Sequence, residues 1–217
     1  DASKSRGLGD VYKRQTYIGN PKYFADMVAY MDFSIGRIVD KIEQLGLSED
    51  TIVIFTADNG TDQPIVSMMG NVAVEGGKGK TTDNGTHVPL IVNWKGVVKA
   101  GVSNTALVDF SDFFPTLCEA AGIKIDANLD LDGISFYPQL LGKESFKRKW
   151  IHTWYNREGG SSPLAATTEW VRNENYKFYV GNRFYNIKKD PKEKNELKWN
   201  QMTDKEKEIR QAFIDVL

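Results

Sequence analysis

The sequence predicts an α/β protein, with part of a mostly parallel sheet and flanking helices, then a small antiparallel sheet with a carboxyl-terminal helix. A long amphipathic helix pattern over residues 20–46 precedes a short apolar, β-branched run at 51–55, and a similar run follows at 88–94. This order is typical of layered α/β folds. After about residue 145, short aromatic segments separated by turns instead indicate antiparallel strands.

Composition excludes several classes of function. The 217 residues are 41% hydrophobic, which is enough to bury a core, and 28 basic against 29 acidic residues give no drive toward nucleic acid. The single cysteine, Cys118, excludes a disulfide framework and a multi-thiolate zinc cluster. No apolar run approaches the roughly 20 residues that span a bilayer, and no signal peptide is visible.

The first predicted element is a helix that begins at Asn20 and Pro21 and ends at Gly46. Asn20 can cap it, Pro21 suits its first position, and Gly46 suits a left-handed cap. One face carries apolar residues at helical spacing and is predicted to pack in the core: Met27, Met31, Ile35, Ile38, Ile42 and Leu45. Residues 1–16 lack any period and are predicted to be non-native or disordered.

The buried strand at 51–55 ends in a polar turn at 56–60, the edge of an α/β sheet where ligands bind. Residues 61–87 are predicted to be one long, glycine-rich loop, and loops of this length are usually functional. A strand at 88–94 and a helix ending near residue 121 complete a core predicted over residues 17–145. Ser111 is the expected cap of that helix, Pro115 lies in its first turn, and Cys118 is expected to be buried on its apolar face.

Residues 146–217 are predicted to form a carboxyl-terminal subdomain. Its strands are expected at 150–155, 169–171, 176–180 and 183–187, with a hairpin turn at 173–175. The charged segment 188–196 is predicted to be a solvated loop. Residues 204–217 show helical spacing, with apolar residues at Ile209, Phe213 and Val216.

Asp58 and Asn59 form the first candidate site. A carboxylate beside a carboxamide offers the hard oxygen ligands that calcium and magnesium prefer. The alternative is an Asx-turn, in which both side chains bond their own backbone. The residues alone leave both interpretations open.

The second candidate is the glycine-rich segment 75–85, which carries Lys78 and Lys80. Its glycines allow a close backbone approach and its lysines can meet an anion, although the spacing is not that of a nucleotide P-loop. A flexible surface loop is the alternative. His87 and His152 have no partner at metal spacing, so packing or surface roles are predicted for both on these grounds.

Taken together, these segments resemble the sulfatase family of the alkaline-phosphatase-like superfamily. The resemblance runs from about Tyr23 to the end and rests on the order of residues 30–37, 52–60, 77–79, 83–91, 109–116, 132–134 and 171–191. It implies that Asp58 and Asn59 ligate an active-site calcium ion, with magnesium less favoured. It also implies that Lys78 is catalytic and contacts the sulfate group, with Lys80 as the alternative.

The chain departs from the family pattern in two ways. Before Val-Pro the family has an acidic residue, two glycines and an arginine. This chain has Asp83 at the acidic position, Asn84 and Gly85 at the glycine positions, and His87 at the arginine position. His87 is therefore a candidate substrate contact. The family's nucleophile is a formylglycine made in an upstream Cys/Ser-x-Pro/Ala-x-Arg motif, and Cys118 has the wrong neighbours for it.

The resemblance therefore implies the carboxyl-terminal half of an arylsulfatase-type enzyme that acts on aryl or glycan sulfate esters. The formylglycine is expected in a missing amino-terminal part, and the chain as given is predicted to be inactive. Two alternatives stay open: a phosphodiesterase or phosphonate-ester hydrolase of the same superfamily, and a truncated domain with a binding or structural role. The family implies a periplasmic or secreted parent protein.

Overall fold

The structure, a computed structural model, describes residues 21–143, 148–156 and 167–217. The predictions for residues 1–16 and for the Asn20 cap lie outside these residues. The chain divides into two compact units, with the division after Ile91. Within the described ranges, no helix has the length and apolar character needed to cross a membrane.

Helix α1, Pro21–Gln44, forms where the apolar spacing predicts it, and Gly46 adopts the left-handed conformation with φ of 70°. The prediction that its apolar face packs in the core is wrong, because no residue of the helix is buried. Met31 is 43% exposed and Ile38 is 60% exposed. An amphipathic face needs a second surface to bury it, and the described part of the chain covers this face only in part, as at Ile35 and Ile42.

Two of the predicted strands pair with each other. Strand β1, Val53–Thr56, and strand β4, Leu90–Asn93, form a two-stranded sheet. All four residues of β1 are partly buried, as expected for an apolar strand covered from more than one side. The predicted α/β class is confirmed, and the turn that follows β1 begins the candidate site.

Residues 61–87 are not one irregular loop as predicted. They contain an antiparallel hairpin of β2, Val66–Met69, and β3, Val72–Glu75, and a single helical turn α2, Asp83–Thr86. Met69 pairs with Val72, so Gly70 and Asn71 form a two-residue connection, and Gly70 has φ of 60°. Such connections favour residues that tolerate positive φ, and the flanking valines favour strands.

In the second unit, a 3-10 turn at Phe110–Asp112 leads into helix α3, Phe113–Ala120, and a short helix α4 follows at Tyr137–Leu140. The cap is Asp109 and not Ser111. The Asp109 carboxylate accepts hydrogen bonds from Ser111 N at 3.0 Å and Ser111 Oγ at 2.7 Å. Ser111 therefore lies inside the turn as a donor, because Asp109 already occupies the capping position. Cys118 on α3 is only partly buried.

The carboxyl-terminal sheet is confirmed. Its strands are β5 Ile151–Asn156, β6 Thr167–Arg172, β7 Tyr176–Tyr179 and β8 Phe184–Asn186, antiparallel in chain order. A 3-10 turn at Trp199–Gln201 and helix α5, Asp204–Ile214, follow. One sheet face and α5 share a core of Val171, Phe178, Phe184, Met202 and Phe213. The other face buries Trp170, Tyr179, Tyr185 and Ile187.

The segment 188–196, predicted to be a solvated loop, contributes a buried side chain. Glu193 is 7% exposed, and its Oε1 lies 3.0 Å from the Nζ of Lys177, which is fully buried. Tyr179 Oη donates to Glu193 Oε2 at 2.5 Å. The carboxylate turns inward because a buried ammonium needs a countercharge.

Candidate active site

The candidate site begins where β1 ends, in residues 57–61, the Asp58 turn. Asp58 is exposed and Asn59 is half-buried. Gly60 N donates to the carbonyl of Gly85 at 2.9 Å. A Cβ on Gly60 would lie 2.0 Å from a backbone oxygen of the neighbouring segment, so only glycine allows this approach. The turn is therefore fixed through its backbone, and its acidic side chain faces solvent.

Residues 76–80, the Lys78 loop, fold directly onto the Asp58 turn. The carbonyl of Thr61 accepts two hydrogen bonds, from Gly77 N and Lys78 N, each at 2.9 Å. Gln63 Nε2 donates to the carbonyl of Lys78 at 3.0 Å. The backbone of Lys78 is thus bound on both sides, which leaves its exposed side chain on a rigid mount. The structure therefore brings Lys78 to the turn that carries the candidate metal ligands.

Lys80 lies two residues further along the same loop. Its N–H donates to the carbonyl of Gly77 at 2.7 Å, which closes a tight turn within the loop. Gly79, between the two lysines, has φ of 80°. Both lysine side chains are exposed. The backbone contact with Thr61 nevertheless distinguishes Lys78 from Lys80.

Residues 82–87, the His87 turn, form the third side of the site. They contain α2, which ends when His87 N donates to the carbonyl of Asp83 at 2.8 Å. Gly85 is buried, and its carbonyl receives the bond from the Asp58 turn. His87 is exposed at the end of this turn. The backbone hydrogen bonds between these segments are joined by one from the Asn84 side chain to the Gly76 carbonyl. The side chains of Asp58, Lys78 and His87 are exposed.

The donor atoms of the Asp58 turn are of the type that a calcium ion prefers. The turn has fewer of them than the ion needs. Calcium takes about six to eight oxygen ligands, and Asp58 with Asn59 offers a carboxylate and a carboxamide. Across residues 21–143, 148–156 and 167–217, no group of three or more His, Cys, Asp or Glu residues could hold a metal. The donor types of Asp58 and Asn59 suit a calcium ion, and two residues are fewer than such an ion needs.

Sequence reasoning missed two residues that organise this site, Thr61 and Asn84. Thr61 acts through its carbonyl, which every residue type has, so no sequence signal could have indicated it. Asn84 does carry a signal, because it stands where the family pattern has a glycine. Its side chain bonds the carbonyls of Glu75 and Gly76.

The segments at 109–116 and 132–134, which also resemble family signatures, meet in a buried polar cluster in the second unit. Asp112 is 1% exposed, and Arg148 donates to both of its carboxylate oxygens. The same carboxylate accepts from Ile134 N at 2.7 Å. A buried carboxylate with this many donors ties segments together, so these signatures serve the fold.

His152 lies on β5 in the second unit. Its Nε2 is 2.7 Å from Glu169 Oε1, with the two side chains 39% and 33% exposed. Of the packing or surface roles predicted for His152, this placement agrees with the second.

Comparison with known proteins gives a consistent match. A family model described as Sulfatase matches residues 7–123, and one described as N-sulphoglucosamine sulphohydrolase, C-terminal, matches residues 78–216. Arylsulfatase A of Homo sapiens is 38% identical over 120 residues, covering 55% of this chain and 23% of that protein. The matched region spans between 20% and 30% of the length of the curated relatives.

Solved structures agree on the fold. One, determined in complex with its substrate D-glucosamine-2-N,6-O-disulfate, aligns with a TM-score of 0.66 at 21% identity, covering 87% of this chain and 38% of that chain. The phosphonate monoester hydrolase of Agrobacterium radiobacter aligns with a TM-score of 0.65 at 26% identity, covering 88% and 38%.

Proposed function

The chain belongs to the sulfatase family, and from that premise we propose that it is the carboxyl-terminal part of an enzyme that hydrolyses sulfate esters. The observation that carries this proposal is the Thr61 carbonyl, which accepts from Gly77 N and Lys78 N at 2.9 Å each. It holds an ammonium-bearing loop against a turn with two oxygen donors. A lysine ammonium beside a turn that would bind a metal ion suits an anionic ester, because negative charge grows on the oxygens of the ester during cleavage.

Lys78 would bind an oxygen of the sulfuryl group. Its ammonium is a compact point charge with three donors, and its backbone is bound on both sides, so little motion is needed to meet the ester. As the ester bond breaks, negative charge grows on the leaving oxygen and on the sulfuryl oxygens, and a fixed ammonium stabilises it. Lys80 and His87 would contact the substrate at the edge of the site.

Asp58 and Asn59 would hold the calcium ion, with magnesium less favoured because it demands stricter octahedral geometry. When bound, the ion adds positive charge next to the same sulfuryl oxygens. The remaining ligands and the formylglycine nucleophile would come from a segment that precedes Tyr23 in the complete protein. The 217-residue chain would then lack turnover of its own, since loss of the activated nucleophile removes most of the rate.

A glycan sulfate ester is the first natural substrate to test, because a structure similar to this chain was determined with a disulfated glucosamine. Family membership also suggests a periplasmic or secreted parent protein. A truncated domain with a binding or structural role remains the non-enzymatic alternative. Nucleic acid is not an expected partner, because the net charge is -1.

A phosphate or phosphonate ester is the second candidate substrate class. The observation in its favour is the similarity to a phosphonate monoester hydrolase. Sulfate and phosphate esters are both tetrahedral anions, so Lys78 and a calcium ion would hold either. Paired assays with 4-nitrophenyl sulfate and 4-nitrophenyl phosphate on the complete protein would decide which ester is the substrate.

The experiment that tests the proposed function compares two lysine variants of the complete protein. Lys78→Ala should lower kcat/KM for 4-nitrophenyl sulfate by on the order of 100-fold, the usual cost of one transition-state donor. Lys80→Ala is the matched control and should lose much less, since Thr61 does not bind its backbone. Equal losses would refute the role of Lys78.

Two further outcomes bear on the proposal. A complete reading frame without a Cys/Ser-x-Pro/Ala-x-Arg motif before Tyr23 would remove the sulfatase assignment. Turnover of 4-nitrophenyl sulfate by the purified 217-residue chain, abolished by Asp58→Ala, would show that the chain is active by itself.

A further inference from the structure

The side chain of Asn84 makes a set of bonds inside the proposed site that a glycine could not make. Its Nδ2 donates to the carbonyls of Glu75 at 3.2 Å and Gly76 at 3.3 Å. Its Oδ1 accepts from Thr82 Oγ1 at 2.5 Å. The orientation of the amide follows from these partners, because the two carbonyls can only accept.

Asn84 also lies between the Lys78 loop and the Asp58 turn. A Cβ on Gly77 would lie 2.5 Å from Asn84 Cγ, so the loop packs directly on the amide. On the other side, a Cβ on Gly60 would lie 2.0 Å from the Asn84 carbonyl oxygen. The side chain of Asn84 thus contacts the lysine-bearing segment, and its main chain contacts the metal-binding turn.

We propose that Asn84 is a positioning residue, which sets where the Lys78 loop lies relative to the Asp58 turn. The Gly76 carbonyl that it binds is two residues from Lys78, and the Gly77 it packs against donates to Thr61. Small shifts of this loop would move the ammonium away from an anion shared with the turn. This inference rests on the proposed function of the same site.

Three variants separate the contributions of Asn84. Asn84→Ala removes all three side-chain hydrogen bonds. Asn84→Asp keeps the size and the acceptor for Thr82 and places a carboxylate against two carbonyl oxygens, so it should disturb the loop more than alanine does. Thr82→Val removes one bond only and should have the smallest effect. Asn128→Ala is the control, because Asn128 bonds Asp126 on an exposed turn of the second unit.

The first measurement is amide hydrogen exchange on the full 217-residue chain. In Asn84→Ala, the amides of Gly77 and Lys78 should exchange on the order of tenfold faster, while those of β6 and β7 keep their rates. Asn84→Asp should give a larger increase, and Asn128→Ala none. Unchanged exchange at Gly77 and Lys78 in both Asn84 variants would overturn the proposal.

The second measurement is a titration with inorganic sulfate, followed by the NMR shift of the Lys78 amide. Asn84→Ala should raise the dissociation constant roughly fivefold or more, with an unchanged melting temperature. If the unsubstituted chain binds sulfate and both Asn84 variants bind it equally well, the positioning role is wrong and the proposed function stands. If the unsubstituted chain binds no sulfate while exchange responds as expected, the positioning role stands and the proposed function loses support.

Discussion

Two buried charged residues of the second unit, Asp112 and Lys177, each have a charged partner. Among the described residues, the polar ones that are buried as whole residues are Asp112, Thr116 and Lys177. Lys177 Nζ lies 3.0 Å from Glu193 Oε1 and 4.6 Å from the centroid of the Trp170 ring. A charge taken out of water needs such partners, because its desolvation costs several kcal/mol.

We expect Glu193→Gln to lower the free energy of unfolding by roughly 3 kcal/mol, because it removes the carboxylate that lies 3.0 Å from the buried Lys177 ammonium. The double variant Lys177→Met with Glu193→Gln should recover much of that loss. Urea denaturation measures both. Charge removal at the exposed pair Lys198–Glu196 is the control and should cost roughly 0–1 kcal/mol. Similar losses at the two pairs would contradict the burial argument.

Helix α5 shows how one element is fixed at its first turn. Thr203 and Glu206 form a reciprocal capping box, with Thr203 N donating to Glu206 Oε2 at 2.9 Å. Tyr176 Oη on β7 donates to Glu206 Oε1 at 3.1 Å. The backbone hydrogen bond from Thr203 lowers the pKa of Glu206, and burial raises the pKa of Tyr176. The box joins the helix start to the sheet beneath it.

The stabilising effect of Glu206 should depend on pH. Its pKa in the folded chain lies below the ordinary 4.5, so its carboxylate stabilises the fold above that pH. The contribution is lost as the pH falls through the lowered pKa. Glu206→Gln should therefore be less stable than the unsubstituted chain at pH 7, with the gap closing as the pH falls below 4.5. Urea midpoints at several pH values measure this gap.

The control for this measurement is Glu208→Gln. Glu208 is exposed on the same helix, so its replacement changes the net charge equally without affecting the cap. A gap for Glu206→Gln that stays constant with pH, or that Glu208→Gln reproduces, would rule out the capping interaction as its cause.

At the scale of the whole molecule, the exposed apolar surface is the main feature. Besides the face of α1, the hairpin exposes Val66, Met68, Met69 and Val72. Such patches on soluble proteins mark surfaces that associate. The region that matches this chain is only 20% to 30% of the length of the curated relatives, so most of each relative lies outside the match.

Phe33 and Ile38 on α1 are each 60% exposed. We expect Phe33→Glu and Ile38→Glu to reduce both the binding of a hydrophobic dye and the concentration-dependent association of the chain. Neither should lower the free energy of unfolding by more than about 0.5 kcal/mol, because neither side chain is buried. Phe213→Ala, at a residue 3% exposed, is the contrast and should cost roughly 3–5 kcal/mol. A large loss of stability at Ile38 would mean that the helix face is packed after all.

The amino-acid sequence by itself determined the α/β class, the long first helix, the strands on either side of the glycine-rich segment, and the carboxyl-terminal sheet and helix. These features depend on local periodicity and turn chemistry, which are set by residues close together in the sequence. The order of its motifs also identified the family.

Only the tertiary structure decided how the candidate site is assembled. The inward turn of Glu193 follows from Lys177, a partner 16 residues away in the sequence. The contact between the Lys78 loop and the Asp58 turn passes through the carbonyl of Thr61, a group common to all residues. Because a backbone carbonyl has no sequence signature, the pairing of this lysine with these candidate ligands becomes visible only once the chain is folded.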